Sequence, residues 1–153
     1  MLWRNWSNKE LPVHFIMLNP STADETRNDP TVERCEQRAR MWGYGGLIVT
    51  NVFAYRSTDP GVLKTMFDPI GLDNNNSIIS AIEHSACTVC GWGENGKLLH
   101  RHDDIKELLK DKLLYALKVN KSGIPAHPLY LSYKLTPIPF LNNTIEWVRP
   151  NGK

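Results

Sequence analysis

Three polar side chains stand near the ends of predicted strands and on one predicted rim: Asn19, Asn51 and His127. An amide is donor and acceptor at once, and an imidazole donates, accepts or moves a proton near neutral pH. Two amides and an imidazole gathered in one hollow wide enough for a heterocycle would make a site rich in amides, with few acids or metal ligands. Each residue also has a plainer reading. Asn before Pro ends a strand by bonding its own loop, a buried amide at Asn51 ties neighbouring loops together, and a His between Pro125 and Pro128 is an ordinary surface residue. Their shared position at strand ends sets them apart.

The elements that must position them are readable. Residues 13–18 (VHFIML) are apolar apart from one His and do not alternate, as expected for a strand covered on both faces. Pro20 has no N–H for a ladder, so the strand stops at Asn19. The polar loop 21–29, with Ser21 and Thr22, follows. Asp29 is a natural N-cap with Pro30 at the first helical position, and Gly43 can end that helix in a left-handed conformation. A second strand covers 47–53 and runs into Tyr55, Arg56 and Ser57. A helical turn is expected over 60–66 and a helix over 73–84 with Ile78, Ile79 and Ile82 inward. A third strand over 86–90 is stopped by Gly91-Trp92-Gly93. Residues 100–117 show an apolar stripe at helical spacing, and Leu129–Leu131 is a fourth strand candidate. The tail carries three prolines from Lys134 onward and fits an edge hairpin or an irregular strap.

This alternation predicts an α/β fold: a three-layer α/β/α sandwich around a mainly parallel, four-stranded sheet. The expectation is one domain over residues 1–153 with an irregular C-terminal strap from about 134. Right-handed crossovers would bring the strand ends to one rim, where open α/β sheets bind ligands. That rim would carry Asn19, Ser21, Asn51, Arg56, Gly91, Trp92 and His127.

Composition narrows the classes. Among 153 residues, 41% are hydrophobic and 22% charged, as in ordinary globular proteins, and no apolar run is long enough to span a bilayer. Three cysteines make no disulfide framework, so a cytoplasmic protein with reduced thiols is expected. A net charge of +2 permits a nucleic-acid partner without arguing for one. Cys87-x-x-Cys90 has no second ligand pair, and His100 and His102 with Asp103 and Asp104 read as a helix start, so no metal is expected. Gly91-Trp92-Gly93 lacks the dinucleotide fingerprint, and neither a Walker motif nor a Gly-x-Ser-x-Gly elbow occurs, so no cofactor is expected. Asp24, Glu25 and Asp29 leave a paired-carboxylate site open as an alternative for glycosidic cleavage.

The segments LNPSTAD (18–24), DPTVERC (29–35), GYGGLIVTNVFAYRSTDP (43–60), DPIGLDN (68–74) and GIPAHPLYL (123–131) together resemble a bacterial and phage family, domain of unknown function 1643. The resemblance covers about residue 12 to 131 and implies a shared fold and site without an activity. Leu18-Asn19-Pro20-Ser21 is also similar to the Gly-x-Asn-Pro-Gly motif of the mismatch-specific and thymine-type branches of the uracil-DNA glycosylase superfamily. Thr50-Asn51 occupies the place of that superfamily's base-reading Asn, and Ala126-His127-Pro128-Leu129 resembles its His-Pro-Ser motif. Met17 and Ser21 replace the two glycines, and Leu129 replaces the Ser.

This second resemblance implies a uracil-DNA glycosylase-like fold and an N-glycosidic hydrolase acting on a nucleobase, modified or not, in DNA. It assigns Asn19 to the attacking water, Asn51 to the base edge and His127 to a base oxygen. On the same analogy Phe53, Tyr55 or Trp92 stack on an extruded base, and Arg56, Ser21 and Thr22 hold phosphate. A non-catalytic nucleotide or nucleic-acid binder and a nucleoside or nucleotide N-glycosidase are the competing readings. Nucleic acid or nucleotide is the expected partner, with no membrane; the oligomeric state stays open.

Overall fold

The apolar run at 12–17 becomes the centre of a sheet because flanking strands and helices leave every one of its residues buried. A computed structural model describes residues 1–150. Its strands are β1 (Leu2–Asn5), β2 (Pro12–Met17), β3 (Gly46–Asn51), β4 (Cys87–Cys90), β5 (Leu114–Ala116) and β6 (Ile138–Phe140). They form one sheet in the order β1-β3-β2-β4-β5-β6. The helices are α1 (Pro30–Trp42), α2 (Asn74–Glu83) and α3 (Arg101–Leu108), with 3-10 turns at Pro60–Thr65, Glu94–His100 and Pro128–Tyr130. No helix among the described residues is long and apolar enough to cross a membrane.

Strand β2 alternates between two cores. Val13, Phe15 and Met17 pack with Val32, Cys35, Ala39 and Trp42 of α1 on one face. Ile16 and Leu18 join Ile78 of α2 and Ile105 of α3 on the other. Its one polar residue, His14, is fully buried, with Nε2 2.8 Å from Thr50 Oγ1 and Nδ1 3.1 Å from Thr88 Oγ1. Helix α1 begins and ends where the chain chemistry demands. Asp29 Oδ1 accepts from Val32 N at 2.9 Å, and Gly43 adopts a φ of 92°, closing the last turn with N–H bonds to Ala39 and Arg40 carbonyls. A cap of the Asp29 kind stabilises a helix by about 1 kcal/mol.

The expected mainly parallel, four-stranded sheet is corrected here. The sheet has six strands and is mixed: β1 lies antiparallel to β3, and β6 antiparallel to β5. β1 escapes sequence reading because its four residues alternate between half-buried and exposed. β6 contains Pro139, which an edge strand tolerates because the missing N–H faces no partner. The long helix expected over 100–117 stops at Leu108, and Leu114–Ala116 instead pairs in parallel with β4. A short apolar run fits helix or strand equally by pattern, and the open edge of β4 decides it. Leu129–Leu131 is no strand. Pro128 starts a 3-10 turn that leaves Tyr130 93% exposed.

Candidate functional site

The register of the inner strands lines up their carboxyl ends. Met17 stands opposite Asn51, and Ile16 opposite Cys90. The chain leaves β2 toward the face covered by α1 and leaves the adjacent β4 toward the face covered by α3. Connections departing to opposite sides open a crevice between neighbouring strands, the position where open α/β sheets take ligands. A cleft of about 1130 Å³ lies there, slightly larger than the roughly 300–1,000 Å³ typical of small-molecule sites.

Asn19, Asn51 and His127 all line this cleft. The Asn19 amide nitrogen donates to Ser57 O at 2.8 Å and makes longer contacts to Pro20 O (3.2 Å) and Tyr55 O (3.4 Å). Those bonds set the amide's orientation and leave its Oδ1 as an unengaged acceptor among the described residues. The Asn51 side chain makes no hydrogen bond with any described residue, while its carbonyl accepts from Asn74 Nδ2 at 2.7 Å. Asn74 also donates to Val52 O at 3.0 Å and thereby braces the end of β3 from the first turn of α2. The sequence reading missed it; a lone clue was the run Asn74-Asn75-Asn76 at a helix start, where such side chains bond backbone.

His127 is half-buried, and its Nδ1 accepts the Leu129 N–H at 3.3 Å. Burial lowers its pKa, with the nearby Asp29 carboxylate opposing that shift. The ring is therefore neutral at physiological pH, and Nδ1 being an acceptor puts the proton on Nε2. Glycines set its position. A Cβ on Gly93 would come 3.2 Å from His127 Cβ, and one on Gly91 would come 3.1 Å from Pro128 Cδ. The segment behind is braced by α1: Arg38, itself fully buried, donates to Leu131 O at 2.9 Å and Ser132 O at 3.2 Å, and Arg34 also bonds Leu131 O. Both guanidiniums lie over the Tyr133 ring.

Of the other expected contact residues, Ser21, Arg56 and Trp92 line the cleft and Thr22, Phe53 and Tyr55 do not. Arg56 Nη1 donates to Ser21 O and Ala23 O, both at 2.7 Å, which leaves Nε and Nη2 for a ligand. Trp92 is fully buried, its indole N–H donating to His102 Nδ1 at 3.1 Å and its ring against Phe140. Phe53 is a core residue with no exposed surface, and Thr22 is exposed away from the cleft. The β3 strand ends at Asn51 rather than Phe53, so the chain turns inward and takes Phe53 with it.

Asp24, Glu25 and Asp29 also line the cleft. The Asp24 carboxylate closes its own turn, accepting from Thr26 N and Arg27 N, which holds its pKa below the usual range. Glu94, which also lines the cleft, accepts from Asn120 and Ser122 and pairs with Lys97, and those bonds pull its pKa down to about 2. Cys87 and Cys90 are free thiols whose pKa values burial raises, Cys87 to about 12, so neither is a nucleophile at neutral pH. No group of three His, Cys, Asp or Glu side chains able to hold a metal ion occurs among the described residues.

A family model with the description "Protein of unknown function (DUF1643)" matches residues 1–129, which takes in every strand end that lines the cleft. No curated protein and no solved structure matches the chain.

Proposed function

The chain belongs to the DUF1643 family, and we propose that it is an N-glycosidic hydrolase acting on a nucleobase, modified or not, in DNA, with Asn19 positioning the attacking water. One observation carries this reading: three chain segments deliver an oriented amide oxygen, an amide with no hydrogen-bond partner among the described residues and a neutral imidazole into the same cleft. Hydrolysis of an N-glycosidic bond passes through an oxocarbenium-like sugar and needs a placed water more than a strong base. Asn19 Oδ1, with its amide nitrogen tied back, is an acceptor for that water. Asn51 offers donor and acceptor together to the edge of a base. His127 offers its Nε2 proton to a base oxygen. Arg56 holds a flanking phosphate through Nε and Nη2.

The test is incubation with oligonucleotides carrying modified bases, scored for abasic sites. Release from at least one substrate, reduced about 100-fold or more in Asn19→Ala, supports the reading. Unchanged release in that variant removes Asn19 from the mechanism. A second reading, a nucleoside or nucleotide site, draws on the single cationic side chain lining the cleft among the described residues. Salt separates the two. Contacts to DNA phosphates lose affinity steeply as salt rises, roughly one log unit per log salt for each phosphate neutralised, and a nucleoside site shows little change.

A further inference from the structure

Resting on the hydrolase reading, we infer that the base taken into this cleft carries a positive charge, as an N-alkylated purine does, and that Asp29 is the carboxylate that selects it. The charge lining the cleft is lopsided. Asp24, Glu25, Asp29 and Glu94 outnumber the basic groups among the described lining residues, which are the Arg56 side chain and the amino group of Met1. Glu94 is partly balanced by Lys97 at 3.2 Å, and Asp24 and Glu25 sit in an open loop. Asp29 differs from these. It is 8% exposed, has no ion pair among the described residues, and gives one oxygen to the α1 cap. Its other oxygen has a single long contact, 3.4 Å from Ala23 N. Its field is felt at His127, which lines the same cleft.

Leaving-group chemistry turns this charge pattern into substrate choice. A neutral base departs as an anion, which carboxylates around the cleft oppose. A base alkylated on a ring nitrogen starts as a cation that the same carboxylates attract. Water oxygen bonds to the anomeric carbon while the carbon–nitrogen bond breaks. That electron pair cancels the ring charge, so the base leaves neutral, and the water's surplus proton passes to solvent. Throughout, Asp29 also favours the positive sugar of the transition state.

Duplex oligonucleotides containing N7-methylguanine, uracil or no modification are incubated with the protein, and abasic sites are scored above the protein-free rate. Free N7-methylguanosine and guanosine are compared in parallel for cleavage and for binding. Release from N7-methylguanine and none from uracil is expected, with Asp29→Asn slower on the order of 100-fold. Asn caps helices as well as Asp, so a matching thermal melt shows that the variant is folded. Cleavage of the oligonucleotide alone assigns the substrate to DNA, and cleavage of the nucleoside assigns it to the free form. Equal release from uracil and N7-methylguanine, unaffected by Asp29→Asn, overturns this inference while the hydrolase reading stands. No release, with N7-methylguanosine bound about tenfold tighter than guanosine and that preference lost in Asp29→Asn, keeps the charge selection and overturns hydrolysis. No release and no preference overturns both.

Discussion

Acidification should loosen this protein through one residue at the centre of the sheet. His14 is fully buried between Thr50 and Thr88, accepting a hydroxyl proton at one ring nitrogen and donating from the other. That arrangement requires a neutral ring, and burial pulls its pKa from an ordinary 6.5 to about 3. Between those values the unfolded chain binds a proton that the folded protein refuses. Stability is therefore complete above pH 6.5 and declines as the pH falls toward 3. At pH 5 the loss from this residue is about 2 kcal/mol, approaching roughly 5 kcal/mol at the acid limit. Whole domains are stable by only about 5–15 kcal/mol, so the effect is large. Urea unfolding at pH 7.5 and pH 5, for the natural protein and His14→Gln, measures it. Gln keeps a donor and an acceptor for the two threonines but does not titrate. The variant should lose about 2 kcal/mol less than the natural protein across that interval. His102 and His127, whose pKa values burial also lowers, contribute to both proteins alike and cancel. Equal losses in the two proteins, or an NMR titration of His14 near 6.5, would refute the reasoning.

Asn51→Ala should leave stability within about 0.5 kcal/mol because its amide has no partner among the described residues to lose, yet weaken ligand binding about tenfold; chemical unfolding beside a binding titration checks both. Asn19→Ala should cost about 1–2 kcal/mol on unfolding, since Ser57 O and its neighbours lose their donor. Gly93→Ala should destabilise by about 1–2 kcal/mol through its φ of 74°, and, by pressing on His127 Cβ, should shift the His127 imidazole resonances in an NMR spectrum. Arg38→Met should change global stability by less than about 1 kcal/mol, because the charge it buries has no carboxylate partner among the described residues. The amides of Leu129 and Leu131 should nevertheless exchange faster with solvent once that brace is gone.

Local chemistry made part of this molecule legible without coordinates. Asp29-Pro30 and Gly43 mark the ends of α1 because capping and the left-handed turn depend on the residues present and on little else. The strand at 12–17 announces itself through unbroken apolar character, and Pro20 through the N–H it lacks. Family membership, too, is carried by motifs spread along the chain. Pairing lay beyond reach, because a short apolar run suits helix or strand until a neighbour's open edge claims it. Leu114–Ala116 became β5 for that reason, and Leu2–Asn5 and Ile138–Phe140 made the sheet mixed by adding antiparallel edges. Side-chain direction was likewise a tertiary matter. Phe53 and Trp92 look like exposed stacking platforms by type and position, yet the end of β3 and the α3 packing bury them completely. Residue type told which groups are capable of chemistry, and only the register of β2, β3 and β4 decided which of them share a cleft, since shared space depends on contacts between residues far apart in the chain.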